Sequence, residues 1–203
     1  MKDRACFSVE CTKKPLDIAL VVDGSGSITS PNFEKVKTFL GGLVSSFNPD
    51  SRVAFIQFSH WTVVEFDFKE YSTMAGVQEG IMKVPYQGYT TYLGYGLTQT
   101  ANYVLNKDAA GDRPDVPTIC IVLTDGKSDD DIKGPALQIR NNGIPIFAIG
   151  ITKSIDHNQL QQLTGDKDLI WTIDKFEQLS RNLGRIIAEK LCSAGSLFTT
   201  PKA

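Results

Sequence analysis

Histidine is nearly absent from this chain, which carries only the isolated His60 and His157. Its four cysteines form no C-x-x-C pair, so a zinc site built from nitrogen and sulfur ligands is not expected. No apolar run approaches the roughly 20 residues needed to span a membrane. A basic stripe is also missing: 21 Lys and Arg stand against 23 Asp and Glu, for a formal charge of −2. Nucleic acid is therefore not an expected partner. No Asn-x-Ser/Thr sequon occurs, so N-glycosylation is not expected. Met1-Lys2-Asp3-Arg4 leads into no long apolar segment, no signal peptide is expected, and the chain reads as a mature fragment.

What is present suits one globular domain. At 203 residues, 41% hydrophobic and 22% charged, the chain can bury a substantial core. The domain is expected over residues 15–192. Before it lies an extension, 1–14, with Cys6 and Cys11, and after it a small polar tail, 193–203, read as a linker to another module. Three of the four cysteines flank the domain, which suggests terminal disulfides and an oxidising compartment. Four cysteines allow three pairings. Cys11 with Cys192 is the expected one, closing a loop worth up to about 5 kcal/mol in the chain-entropy picture. Cys6 is then free or paired outside the chain. Cys120, inside Thr118-Ile119-Cys120-Ile121-Val122-Leu123, reads as a buried thiol acting as a small hydrophobe.

Strands and helices alternate. Leu16 to Val22 is a β-branched apolar run, short enough for a buried strand. Ser30-Pro31 opens a helix, with Ser30 as cap and an apolar face from Phe33 to Phe47. Arg52 to Phe58 and Thr62 to Phe66 predict a hairpin around Ser59-His60-Trp61. Helical stretches follow over 72–84 and from Leu93. A strand at 118–123, a helix at 132–140, a strand at 144–149, a helix at 156–163, a strand at 169–172 and a closing helix at 176–191 complete the pattern. The rhythm implies a doubly wound α/β sheet of six mostly parallel strands with one antiparallel edge strand and helices on both faces. Ligands of such sheets sit beyond the strands' carboxyl ends, where strand order reverses.

Two strands end in an acid, and both acids face one spot if these strands are neighbours at that reversal point. Asp23-Gly24-Ser25-Gly26-Ser27 follows the first, and Thr124-Asp125-Gly126 follows the strand at 118–123. Between them, Gly88-Tyr89-Thr90-Thr91-Tyr92-Leu93-Gly94 supplies hydroxyls just before a helix. One or two carboxylates with several neutral oxygens suit a hard cation such as Mg²⁺.

These three stretches, in this order, resemble the D-x-S-x-S, T-x-x-G-x-x-L and T-D-G motifs of von Willebrand factor type A domains, the fold shared with integrin I domains. The resemblance covers residues 15 to 192. It implies a metal-ion-dependent adhesion site in which Ser25, Ser27 and Thr91 ligate Mg²⁺ directly and Asp23 and Asp125 act largely through water. Mn²⁺ or Ca²⁺ are possible substitutes. Thr90 replaces Thr91 if the loop register slips by one. An acidic side chain from an extracellular protein ligand, such as a matrix component or cell-surface receptor, would complete the coordination. The resemblance also implies a secreted or cell-surface setting, with other modules of a larger protein as neighbours. Leu93 stands where many relatives have a second Thr, and no insertion resembles the collagen-contacting helix of collagen-binding integrins. In integrin-type relatives the closing helix shifts as affinity changes; a Cys11–Cys192 bridge would limit such movement.

Tyr86, Tyr89, Tyr92 and Tyr95 crowd around the Thr91 loop. Tyr89, Tyr92 and Tyr95 are the ligand-contact candidates, with burial against neighbouring helices as the competing reading. Trp61 either touches a partner or packs over the sheet edge. Asp129-Asp130-Asp131 reads as a solvated, helix-capping run rather than a cation lure. An enzyme is not expected: no G-x-S-x-G turn or P-loop lysine is present, and no histidine is placed as a base. Phosphatases of similar topology carry a second acid two residues after the first, where this chain has Ser25. A structural matrix-assembly module that does not use its metal site is the alternative.

Overall fold

The computed structural model describes residues 14–105 and 108–193, the last two by backbone alone. Residues 1–13 of the expected extension, with Cys6 and Cys11, residues 194–203 of the tail, and the Cys192 side chain lie outside the described residues, and with them the expected Cys11–Cys192 bridge.

The strands are β1 (Asp17–Asp23), β2 (Arg52–Phe58), β3 (Thr62–Phe66), β4 (Thr118–Thr124), β5 (Ile146–Ile151) and β6 (Ile170–Ile173). They form one sheet in the order β3-β2-β1-β4-β5-β6. Every pairing is parallel except that of β2 with β3, the expected edge hairpin. β1 is buried along its whole length. A strand covered on both faces can afford no polar side, which is why its sequence runs apolar rather than alternating.

Among the described residues the six longer helices are α1 (Ser30–Val44), α2 (Met74–Lys83), α3 (Leu93–Tyr103), α4 (Lys133–Asn141), α5 (His157–Thr164) and α6 (Arg181–Ser193). Successive β1 side chains point to opposite faces. Ile18, Leu20 and Val22 meet Phe33, Phe39 and Leu43 of α1, Val77 and Ile81 of α2, and Ile187 and Leu191 of α6. Ala19 and Val21 meet Leu97 of α3, Ile139 of α4 and Leu163 of α5. Three helices thus cover each face.

Several boundaries differ from the sequence reading, and three of these differences have a clear local reason. Thr29, not Ser30, is the cap of α1; it holds φ 65° and makes no side-chain cap bond. The turn before it, closed by Ile28 N donating to Ser25 O at 3.2 Å, leaves Ser30 already inside the helix. β5 begins at Ile146 because Pro145 has no N–H for the ladder, although its carbonyl accepts from Cys120 N at 3.0 Å. The closing helix is broken: a short 3₁₀ turn at Phe176–Gln178 gives way to extended Leu179. Ser180 Oγ then accepts from Leu183 N at 3.1 Å and starts α6 afresh.

Cys120 lies fully buried in β4 as a free thiol, and burial pushes it up to about 12. Only the thiolate reacts with alkylating agents. Peptide mapping after iodoacetamide treatment should find Cys120 unmodified in the native protein and labelled after denaturation.

Candidate metal centre

Strand order reverses between β1 and β4, which lie side by side with Val22 opposite Leu123. The next residues are Asp23 and Thr124, and Thr124 Oγ1 donates to Asp23 Oδ2 at 2.7 Å. Asp23 Oδ1 accepts from Ser25 N at 2.8 Å, folding the serine turn back over the strand end. Ser25 Oγ lies 3.1 Å from Ser27 Oγ, and Ser27 Oγ donates to Asp125 Oδ1 at 2.7 Å. Four of the five expected ligands, from two adjacent strand ends, are therefore joined in one hydrogen-bonded chain.

The fifth, Thr91, arrives on the loop between α2 and α3. Tyr89 O accepts from Gly26 N at 2.7 Å and Gly24 O from Gly88 N at 2.8 Å, lacing this loop to the serine turn. Thr91 O accepts from Asp129 N at 3.0 Å and from Ser128 Oγ at 3.1 Å, lacing it to the Asp125 loop. Thr90, the alternative, turns its hydroxyl to His60 Nδ1 at 3.1 Å on the exposed side. The Thr91 hydroxyl makes no hydrogen bond among the described residues.

Whether this donor set fits a cation is decided by charge. Asp17, at the far end of β1, is fully buried and paired: it accepts from Arg113 N, Nε and Nη2 at 2.7, 2.9 and 2.6 Å. Burial pushes its carboxyl up, and Arg113 opposes that shift. Asp23 and Asp125 are also buried, at 0% and 4% exposed, but have no ion-pair partner among the described residues. Burial drives both upward, Asp125 to about 6, and the neighbouring Asp23 charge adds to the Asp125 shift. Two buried acids without a counter-charge are costly to ionise. A divalent cation is the natural complement, and the three hydroxyl residues with two carboxylates match an oxygen-seeking one. Among the described residues no group of three or more His, Cys, Asp or Glu offers a competing site.

Around the rim the aromatic residues divide. Tyr86 faces inward: its hydroxyl donates to Ser25 O at 2.9 Å and its ring lies 5.7 Å from Phe33. Half-buried, it steadies the serine turn. Tyr89 is 65% exposed at φ 77°, with its ring 5.0 Å from that of Trp61. His60 bridges Trp61 and Tyr92 at 5.5 and 5.4 Å. Trp61 thus both packs and stays half exposed. Tyr95 stands apart on the first turn of α3, exposed.

The acidic run caps, as expected, but across elements. Asp130 Oδ1 and Oδ2 accept from Gly94 N and Tyr95 N at 2.9 and 2.7 Å, closing the start of α3. Asp131 Oδ1 accepts from Lys133 N at 3.0 Å.

Several supporting residues escaped the sequence reading. Ser128 Oγ accepts from Leu93 N at 2.9 Å, and Gln159 of α5 grips Ser128 N and O at 2.8 and 3.0 Å. Nothing in one sequence marks that long-range clamp. Gln57 did carry a signal, as a polar residue inside an apolar strand whose burial demands partners.

A sequence profile described as the von Willebrand factor type A domain matches residues 17–184. Cuticlin-6 of Caenorhabditis elegans is 32% identical over 197 residues, which is 95% of this chain and 34% of that protein. The collagen alpha-5(VI) chain of Mus musculus is 34% identical over 188 residues, 91% of this chain and 7% of that one. Among solved structures, proximal thread matrix protein 1 from the mussel byssus aligns with TM-score 0.82 at 27% identity, over 88% of this chain and 48% of its own. A further structure of that mussel protein has a zinc-occupied MIDAS motif. The chain spans about half or less of the length of these relatives.

Proposed function

Because the chain belongs to the von Willebrand factor type A domain family, we propose that it is an extracellular adhesion module that binds a protein ligand through a divalent cation, and that it catalyses no reaction. The observation that carries this reading is the pair of buried, cation-free acids, Asp23 and Asp125, joined through Ser25 and Ser27. Ser25, Ser27 and Thr91 would hold the ion directly, with Asp23 and Asp125 acting through water. Mg²⁺ is the ion favoured by these donors, with Mn²⁺ and Ca²⁺ as substitutes; when bound it would supply an electrophilic position for an outside carboxylate.

The chain's own residues do the rest. Neutral hydroxyls as direct ligands leave positive charge uncompensated, which favours an acidic side chain of the partner. Tyr89, Tyr92 and Trp61 offer a rigid aromatic shelf beside that position, and Tyr95 a separate exposed ring. The relatives' names, a cuticlin and a collagen chain, support a matrix or cell-surface setting alongside other modules of a longer protein.

An array of Glu- and Asp-containing peptides tests the reading. Binding is expected in Mg²⁺ or Mn²⁺, lost in chelator, and lost when the acid is replaced by Gln or Asn. Binding that persists in chelator would instead support a matrix-assembly module whose metal site is unused.

A further inference from the structure

The serine turn and Thr91 come from distant parts of the chain, laced together by backbone bonds from Gly26 N to Tyr89 O and from Gly88 N to Gly24 O. The end of β2 adds a side-chain brace to them. Gln57 is completely buried there, in a strand whose other inward residues are apolar. Its Nε2 donates to Pro85 O at 2.7 Å and to Glu65 Oε1 at 3.0 Å, and its Oε1 accepts from Gln87 N at 3.2 Å. The same carboxamide lies against Gly24 of the D-x-S-x-S motif. A Cβ on Gly24 would sit 2.8 Å from Gln57 Cδ and nearer still to its Oε1. The bare backbone at Gly24 and the amide of Gln57 are two halves of one contact.

The residues after Gln57 continue the alignment. Gly24 N donates to Phe58 O at 2.8 Å, and Tyr92 N to Ser59 O at 3.0 Å. Ser59 Oγ donates to Gln87 Oε1 at 2.6 Å, while Gln87 Nε2 is buried without a partner.

We propose that Gln57 is a positioning residue for the metal centre, setting the distance between the serine turn and Thr91 through Gly24 on one side and residues 85–87 on the other. The role rests on the metal-adhesion reading above. An apolar side chain would satisfy the burial equally well but would leave Pro85 O, Gln87 N and Glu65 without their partner, at the cost that attaches to buried unpaired groups. Outlying hydrogen bonds of this kind tune metal affinity without touching the ion.

Three variants test it. Gln57→Met keeps shape and loses all three bonds. Gln57→Glu keeps the acceptor for Gln87 N and loses both donors. Val53→Ala removes buried volume at the other end of the same strand. By calorimetric titration, Gln57→Met is expected to weaken Mg²⁺ binding about tenfold, the lower end for outlying contacts, and Gln57→Glu at least as much, because its buried carboxylate would face Glu65 Oε1 and Pro85 O where the amide now donates. In metal-free protein, Gln57→Met should speed amide exchange at Gln87, Gly88 and Tyr92. Val53→Ala should lower Tm and leave Mg²⁺ affinity unchanged. Parental affinity and exchange in Gln57→Met would overturn the proposal, as would an equal loss of affinity in Val53→Ala. If the parent itself binds neither Mg²⁺ nor Mn²⁺ at millimolar concentration, the metal reading fails and the exchange rates alone decide whether Gln57 positions the loops.

Discussion

Asp125→Ala is expected to remove all metal-dependent stabilisation from this domain. A ligand that binds only the folded state stabilises it by RT ln(1 + [L]/Kd), about 2.7 kcal/mol at 100 times Kd. For a domain of this size that is a rise in Tm of about 5–10 °C. The parent should show the rise in Mg²⁺ and lose it in chelator; the variant should show none. The comparison in chelator is as informative. Asp125 is buried, without a cation, and held above the ordinary carboxylate range to about 6. At pH 7.5 its ionised form therefore opposes folding when no metal is bound. Ser27 Oγ, its bonded neighbour, keeps Ser25 Oγ at 3.1 Å when the carboxylate goes. The variant should thus be at least as stable as the parent in chelator and less stable in Mg²⁺. Thermal scans of both proteins with and without Mg²⁺ would show the curves cross. A parent whose Tm ignores millimolar Mg²⁺ and Mn²⁺ would sink the metal-bridged mechanism, leaving a fold that binds through another surface or serves as structure.

The strand ends were legible in the sequence because the chemistry there is local. Asp23, Ser25 and Ser27 lie within one turn, and Asp125 follows an apolar run that can only be a buried strand. Alternation of strands and helices implied the parallel sheet, and the structure supplies the strand order that makes β1 and β4 neighbours and brings both acids to the reversal point. What stayed hidden is whatever one loop does to another. Asp130 caps α3 from the far side of the site, and Gln159 grips Ser128 from α5. Neither pairing leaves a spacing to read, since side chain and target are fixed only by the tertiary fold. Tyr95-Gly96 is poor material for the first turn of a helix. Gly96 is there because a Cβ would press on Phe58 Cβ at 2.9 Å, so packing against β2 overrides helix propensity. Of the four tyrosines crowded around the Thr91 loop, Tyr86 turns inward and donates to Ser25 O, a contact that no sequence spacing signals.

Gly184→Val should be the most destabilising single change away from the metal centre. α1 and α6 cross with backbone against backbone. A Cβ on Gly184 would lie 2.6 Å from Leu43 N and 3.1 Å from Gly42 C, and closer still to Phe39 O. A Cβ on Gly42 would in turn meet the Arg181 backbone, 2.6 Å from its Cα. These obstacles are helix backbone, which cannot swing aside as a side chain can, so α6 must lift. Overpacking of a tight core costs about 1–3 kcal/mol. Lifting α6 also loosens Ile187, Ala188 and Leu191, all buried against the sheet, so about 3 kcal/mol or more is expected, a fall in Tm of roughly 6–12 °C. Gly126→Ala, where a Cβ meets nothing within 4 Å, should change stability by less than about 0.5 kcal/mol. Because Gly42 lies some 12 residues along α1 from the serine turn, about 18 Å at 1.5 Å per residue, Gly184→Val should leave Mg²⁺ affinity unchanged below its Tm. The same seam bears on movement of the closing helix. A one-turn slide of α6 would carry Gly184 off the crossing and bring the Cβ of Ala188 or Ser180 onto the α1 backbone. The glycine crossing therefore resists axial travel whatever the cysteines do. Amide exchange along α6 should accordingly be the same with and without a bound acidic peptide, and a ligand-dependent change confined to α6 would show that the helix slides despite the seam.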